Sequence, residues 1–179
     1  MEKNKISLAI KTLSLLEKSS WEKISLIKVI SGQKYNNIRN KNDLLININR
    51  YFDSLLRNNL GSLENSSTKD MLFEVMMERF DILNIYRSSV KNLLKYFLSN
   101  PLHFIKLLPS FIESIILIAN MSNINVSGVK GAAKVKIIFI LYLLIIYTWN
   151  KDDTPSLEKT MTVLDKYLSN IDKYFKLSK

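Results

Sequence analysis

Apolar residues recur every three or four positions along most of the chain, which is the spacing of an α-helix that buries one face. The pattern predicts a first helix over residues 6–16. Ser19-Ser20-Trp21-Glu22 then has the Ser and Glu spacing of a capping box, and it predicts the start of a short second helix. A turn is expected at residues 31–33, a third short helix near Lys34, and a longer helix over residues 44–56.

The polar stretch Asn58–Ser67, which contains Gly61, predicts the main boundary of the chain. Beyond it, Ser67 and Asp70 are spaced to cap the next helix, and Thr154-Pro155 is typical of a helix start. The helices predicted in this second part cover residues 71–83, 86–98, 101–121 with a kink at Pro109, 132–149 and 154–176.

Composition supports an all-helical protein. Only 4 Gly and 3 Pro interrupt 179 residues, whereas a β-sandwich of this length needs many more turn residues. We therefore predict an all-α fold of eight to ten helices. The longest apolar run, Ile137–Trp149, is shorter than the about 20 residues of a membrane span, and no signal peptide is visible, so a cytoplasmic protein is expected.

The charge of the chain is +10 and unevenly spread. Residues 1–60 hold 11 Lys and Arg against 5 Asp and Glu, whereas residues 61–128 hold 6 of each. A basic first segment beside a neutral one is expected of contact with nucleic acid. Compositional drift towards Lys, Asn and Ile explains it equally well.

Residues for catalysis are scarce. With one histidine, His103, and no cysteine, neither a zinc site nor a Cys/His nucleophile pair is available, and no glycine-rich phosphate loop occurs. The acidic pair Asp152-Asp153 precedes a predicted helix and is explained by capping. The sequence thus predicts a protein that is not an enzyme and has no cofactor or metal.

Two stretches near the N-terminus resemble the TetR family. Trp21–Val29 looks like the second helix of that family. Tyr35–Leu45 is similar to its Tyr-x-x-Phe-x-x-Lys-x-x-Leu-Leu segment, with Ile38 at the Phe position. The interval from Ser25 to Lys41 is 16 positions, shorter than in standard members, and the missing residues fall in the turn and at the start of the recognition helix.

Two stretches of the remaining chain resemble one branch of the family. Met71–Asp81 and Asp152–Asp165 look like the alphaproteobacterial TetR-like proteins, a group that shades into the lipid-binding accessory proteins of coenzyme Q biosynthesis. The resemblance implies a short three-helix helix-turn-helix head over residues 1–60, including a connecting helix. A larger helical body for ligand binding and dimerisation would follow over residues 61–179.

The first functional hypothesis is a DNA-binding transcriptional regulator with a small apolar ligand pocket. The head would contact DNA through Lys34, Tyr35, Arg39 and Lys41. The cations would mostly neutralise phosphates, which fix position and do not read sequence. Packing within the head is the alternative role of Tyr35 and the expected role of Ile38.

The second hypothesis is a lipid- or quinone-binding accessory protein of ubiquinone biosynthesis that has lost sequence-specific DNA binding. Both hypotheses need an apolar cavity between the helices over 71–83 and 101–121, although such side chains are usually simple core. Its predicted lining is Met76, Met77, Phe80, Phe97, His103, Phe104, Ile112 and Ile116. Contact of the basic tail, from Lys166 to Lys179, with an anionic membrane is a further alternative to a solvated helix face.

A homodimer is predicted from the last two helices. In TetR-like proteins two such helices from each subunit form a four-helix bundle, and the penultimate helix here carries more apolar surface than one small body covers. The predicted interface residues are Ile138, Leu141, Ile145, Leu164 and Leu168.

Overall fold

A computed structural model of the chain describes residues 2–30, 35, 38–60 and 67–175, with side chains up to residue 172. Every regular element in these ranges is helical, which confirms the all-α prediction. The elements are α1 (Lys3–Lys18), a 3₁₀ turn (Trp21–Lys23), α2 (Leu26–Ile30), α3 (Lys41–Asn59), α4 (Thr68–Ile85), α5 (Arg87–Ser99), α6 (Pro101–Met121), α7 (Gly128–Lys151) and α8 (Glu158–Phe175).

The chain forms two compact units, and each is built from two separate stretches. Unit 1 comprises Met1–Leu55 and Leu83–Phe111, and unit 2 comprises Leu56–Ile82 and Ile112–Lys179. The division predicted near residue 60 assigns DNA binding to one side and ligand binding to the other. That functional division stays a prediction.

Unit 1 is organised around the packing of α1 against α5. Ala9, Leu13 and Leu16 of the predicted apolar stripe of α1 are buried, whereas Ile10 of the same stripe is 43% exposed. Two polar side chains of α5 reach carbonyls of α1: Ser89 Oγ donates to Leu13 O at 2.7 Å, and Asn92 Nδ2 donates to Leu16 O at 2.7 Å. The second bond satisfies a carbonyl of the last turn of α1, which has no partner inside its own helix.

Unit 2 contains a hairpin of α7 and α8. Leu164 and Leu168 of α8 are fully buried, and so is Ile145 of α7. The ring of Phe80 on α4 stacks on Tyr142 of α7 with centroids 5.3 Å apart. The apolar side chains of α7 are therefore core on this face.

The carboxylate of Asp152 fixes the junction between α7 and α8. It has no exposed surface. Oδ1 accepts bonds from the amide and hydroxyl of Thr154 at 3.1 and 2.6 Å, and Oδ2 accepts both from Thr160 at 2.8 Å. Burial raises the pKa of Asp152, but these four bonds outweigh it and lower the pKa to about 2. The acidic pair thus contributes to structure through one of its members, as capping predicts.

The start of α7 touches the loop before it. A Cβ on Gly131 would lie 2.0 Å from the carbonyl carbon of Val126, so only glycine fits there. Gly128 has a φ of +66°, which glycine adopts without strain. The helix predicted from Ala132 begins four residues earlier because these glycines allow the chain to turn directly into it.

Three predictions about helix starts need correction. The short helix expected from Ser19 is instead a 3₁₀ turn and a separate α2, because Ser19 Oγ donates to Leu15 O at the end of α1. The helix expected at Thr154-Pro155 begins only at Glu158. The third helix expected near Lys34 is absent from the described residues around it: Tyr35, Ile38 and Arg39 are non-helical, and Lys34 lies outside them.

Candidate nucleic-acid interface

Two of the predicted DNA contacts lie at the start of α3: Lys41 is its first residue, and Arg39 precedes it by two positions. Asn40 and Asp43 cap this helix reciprocally. Asn40 Oδ1 accepts from the amides of Asn42 and Asp43 at 2.8 and 3.2 Å, while Asp43 Oδ2 accepts from those of Arg39 and Asn40 at 2.7 and 2.9 Å. This is the capping-box geometry, with Asn and Asp in place of Ser and Glu. This cap was not predicted from the sequence, although the spacing Asn-x-x-Asp before an apolar stripe indicates one.

The cap has a consequence for anion binding. Helix N-termini bind phosphate through their unpaired amides. Here four of the five amides from Arg39 to Asp43, all but that of Lys41, already have side-chain acceptors. Any phosphate at this end of α3 must therefore be held mainly by side chains.

The side chain of Lys41 is half-buried and binds the 3₁₀ turn of unit 1. Its Nζ donates to the carbonyls of Trp21 and Glu22, the latter at 3.2 Å, and lies 4.7 Å from the centroid of the buried Trp21 ring. Burial lowers the pKa of Lys41, while the charge of Glu22 raises it. An ammonium group has three donors, so at most one is left for a phosphate. Lys41 thus positions the 3₁₀ turn against α3, and its predicted contact with DNA stays a prediction.

The other residues predicted to contact DNA differ in exposure. Arg39 is exposed, whereas Tyr35 is half-buried. The carbonyl of Tyr35 accepts a hydrogen bond from the amide of Ile38 at 3.2 Å. Lys34 is not among the described residues. A cleft of about 390 Å³, lined among others by Ile38 and Asp43, opens beside α3.

Two further exposed cations in this part of the chain were not predicted. Lys23 ends the 3₁₀ turn and Lys28 lies in α2, and both are exposed. Both residues follow Trp21 in the sequence, and the ring of Trp21 is the one that Lys41 covers. Helical spacing alone did not single them out, because the prediction treated residues 21–30 as one continuous helix.

The residues predicted to line a ligand pocket are divided between the units. Met76, Met77 and Phe80 are buried in unit 2, which also contains the half-buried Ile112 and Ile116. The other three, Phe97, His103 and Phe104, are half-buried in unit 1.

His103 has a partner there, since its Nδ1 is hydrogen-bonded to the hydroxyl of Tyr96. Burial, together with the charge of Glu22, raises the pKa of Tyr96, and a hydrogen bond with Trp21 lowers it. A histidine that is hydrogen-bonded within the protein in this way is the usual alternative to a histidine that contacts a ligand in a pocket. The pocket stays a prediction.

The residues predicted for the dimer interface lie inside the protomer. Ile138, Leu141, Ile145, Leu164 and Leu168 are each 5% exposed or less. Their role at a dimer interface stays a prediction. The opposite face of α7 is exposed and apolar, with Ile140, Leu143, Leu144 and Tyr147 at helical spacing.

Comparison with known proteins supports the fold. The crystal structure of the TetR transcriptional regulator from Nitrosomonas europaea is similar to this chain with a TM-score of 0.72 and 14% sequence identity, over 94% of this chain and 98% of that one. No protein-family model matches the chain. No curated protein matches it by sequence. The fold is therefore TetR-like and all-α, at a sequence distance where likeness speaks for the fold alone.

Proposed function

We propose that this chain is a DNA-binding transcriptional regulator of the TetR type that acts as a homodimer. Three findings support the proposal: the TetR-like fold, the excess of cations in residues 1–60, and a structural neighbour that is itself a transcriptional regulator. The single observation that carries it is the set of exposed cations, Lys23, Lys28 and Arg39, in the segments that precede the anchored start of α3.

The geometry favours contact with phosphates over base reading. A helix-turn-helix protein reads base edges with the first residues of its recognition helix. Tyr35, Ile38 and Arg39 are non-helical, and the interval between α2 and α3 is only ten residues long. Cations outside a groove-binding helix neutralise phosphates, which gives affinity with little sequence preference. We expect a weakly specific DNA-binding protein.

The test is a salt-dependent titration of the full chain with duplex DNA. Each phosphate contact contributes about 0.9 to the slope of log affinity against log salt. Lys23→Ala and Arg39→Ala should each lower that slope by roughly one contact. Lys159→Ala, which removes an exposed cation from α8, is the control and should leave the slope unchanged. Equal slopes for all four proteins, or no DNA binding at low salt, would contradict the proposal.

The exposed face of α7 is our candidate for the dimer contact. Ile140 and Tyr147 are 56% and 63% exposed, and with Leu143 and Leu144 they form one stripe. Lys136 and Lys151 border the stripe at its two ends. A two-fold dimer buries the same patch on both copies, and an apolar centre with a polar rim is the usual composition of such a patch.

The alternative function is a lipid- or quinone-binding accessory protein of the alphaproteobacterial branch. The observation that favours it is the methionine-rich interior of unit 2, where Met71, Met76 and Met77 are buried on α4. Methionine cores admit apolar ligands because the side chain is flexible. Native mass spectrometry distinguishes the two functions: a co-purifying lipid or quinone, together with no DNA binding, would favour the alternative.

A further inference from the structure

Three large aliphatic side chains project from the corner where α5 meets α6. Leu98 is 83% exposed, Leu102 70% and Ile105 54%. We call these three residues the aliphatic corner. Single exposed apolar residues are common and need no explanation, whereas neighbouring ones mark a surface for interaction.

The backbone under the aliphatic corner is rigid. Asn100 is the only residue between the two helices. Its amide donates to the carbonyls of Tyr96 and Phe97 at 2.9 and 3.3 Å, and its side chain donates to Tyr96 O at 3.2 Å. Terminal carbonyls of α5 are thereby satisfied without water, which removes the main cost of placing a helix end in an apolar environment.

Aromatic rings support the corner from inside. The rings of Phe97 and Phe104 lie edge to face with centroids 5.8 Å apart, and Phe104 stacks on Phe111 at 5.3 Å. These three rings are half-buried, and they lie near the three exposed aliphatic residues in the sequence.

The segment that forms the aliphatic corner carries only positive charges, although the carboxylate of Glu22 in the 3₁₀ turn acts on Tyr96 of α5. Residues 82–112 contain Arg87, Lys91, Lys95 and Lys106 and no acidic residue. Lys95 lies one turn before Leu98, and Lys106 directly follows Ile105; both are exposed. Exposed aliphatic side chains bordered by lysines are complementary to a partner surface that has anionic groups on the outside and an apolar layer beneath them.

Helix α6 has the composition for contact with lipid. Of the described helices, it alone is long and apolar enough to cross a membrane by composition, and only 33% of its most apolar window is buried. The core helix of a soluble protein would be mostly buried. Its exposure at the aliphatic corner fits a helix end that lies against a membrane surface.

We propose that the aliphatic corner docks on an anionic lipid bilayer, with Leu98, Leu102 and Ile105 inserted below the headgroups and Lys95 and Lys106 against their phosphates. Amphipathic elements bind membranes by this combination of buried apolar area and attraction to anionic lipid. This inference goes beyond the proposed DNA binding and involves different residues.

Two other occupants fit less well. A second copy of the chain would place two basic corners face to face in a two-fold contact, and like charges repel. Three side chains also fall well short of the ~800 Å² per partner that a stable protein interface buries. A DNA duplex would satisfy the lysines but leave the three aliphatic side chains in water.

The experiment is flotation of the full chain with two kinds of vesicle, phosphatidylcholine alone and phosphatidylcholine with phosphatidylglycerol. We expect binding to the anionic vesicles only. The double variant Leu98→Ser/Leu102→Ser should weaken it roughly tenfold or more. Replacing Lys95 and Lys106 by Gln should weaken it by about fivefold per lysine.

Matched controls exist within the chain. Ile85→Ser removes an aliphatic side chain that is also 70% exposed, but it is the last residue of α4. It lies beside the start of α5, and the 13 residues of α5 span roughly 20 Å at the helical rise per residue. Gln at both Lys159 and Lys166 of α8 tests whether the basic last helix makes the contact instead. Both controls should float like the wild type, and circular dichroism should show equal helicity for all proteins.

Several outcomes would overturn the proposal. These are no binding to anionic vesicles, binding that survives Leu98→Ser/Leu102→Ser, and binding lost only in the α8 variant. If the Leu98→Ser/Leu102→Ser variant instead changes the sedimenting species, a second copy occupies the corner. If the lysine changes alter only the affinity for duplex DNA, the patch is part of a nucleic-acid surface. Failure here leaves the DNA titration with Lys23 and Arg39 untouched, so the two proposals can fail separately.

Discussion

The buried carboxylate of Asp152 allows a quantitative prediction. It accepts four hydrogen bonds, from the amide and hydroxyl groups of Thr154 and Thr160, and these lower its pKa from 3.8 to about 2. The perturbation is Asp152→Asn, which keeps the shape and removes the charge. An Asn oxygen can still accept from Thr154, but its NH₂ group then faces the amide of Thr160, donor against donor.

The magnitude follows from the pKa. A fall from 3.8 to about 2 corresponds to about 2.5 kcal/mol of stability at pH 7, at about 1.36 kcal/mol per unit. The donors left unpaired at Thr160 cost about 1–3 kcal/mol by themselves. We therefore expect Asp152→Asn to lower the free energy of unfolding by about 2–4 kcal/mol at pH 7.

The dependence on pH gives a second measurement. A carboxyl group whose pKa is lowered in the folded state stabilises the fold fully above its unfolded pKa, and this contribution disappears as pH falls through the folded pKa. For Asp152 the window runs from about pH 4 down to about pH 2. The difference between wild type and Asp152→Asn should narrow across that window and stay constant above it.

The assay is urea unfolding followed by circular dichroism at several pH values. The control is Asp153→Asn, which makes the same change at the exposed neighbouring residue and should lower stability only slightly. If Asp152→Asn unfolds within about 0.5 kcal/mol of the wild type at pH 7, or if the difference is the same at pH 2, the carboxylate does not stabilise this junction.

Two further predictions concern α7 and its partner helix. Gly131→Ala places a methyl group against the backbone of the preceding loop and should lower the free energy of unfolding by about 3 kcal/mol or more. In Gly128→Ala the new methyl group meets no atom, so the loss should be only ~1–2 kcal/mol, caused by the positive φ. Thermal unfolding measures both variants, and equal losses would contradict the clash at Gly131. Leu144→Glu on the exposed face of α7 should give folded monomers in sedimentation, whereas Leu164→Glu in the core should unfold the chain; a folded dimer of Leu144→Glu would place the interface elsewhere.

Much of the fold could be predicted from the sequence because the helices bury regular stripes. Ala9, Leu13 and Leu16 of α1 are buried where the spacing places them, although Ile10 is exposed. Ser67 caps α4 as expected, with the amide of Asp70 donating to Ser67 Oγ at 3.2 Å. Errors arose where one polar side chain had two local choices. Ser19 donates to the helix behind it and does not cap the one ahead, a competition that spacing cannot decide.

The start of α8 shows a second reason why helix starts were predicted wrongly. Thr154 does cap, since the amide of Glu158 donates to Thr154 Oγ1 at 3.0 Å, but the helix begins after Leu157, which has a φ of +52°. The conformation is held by Asp152, which binds Thr160 eight positions ahead. A capping pattern spans only four residues, so it cannot reveal a hydrogen bond between residues eight positions apart.

The candidate site was less predictable than the fold. Sequence places Arg39 and Lys41 two residues apart, but only the structure shows that one is exposed and the other covers a tryptophan ring. The apolar pattern of α7 identifies the helix as central. It does not say which face meets α8, because α7 is apolar on both sides; Ile145 is buried and Leu144 is exposed.

The interleaving of the two compact units bears on how such a protein could be divided or recombined. Residues 1–60 look like a module that could be cut out or exchanged between regulators. Yet α1 depends on α5, whose Ser89 and Asn92 satisfy its carbonyls and whose residues come after α4. A head transplanted without residues 83–111 would lose the helix that covers its apolar stripe. New combinations in this architecture must therefore exchange two segments of the chain together.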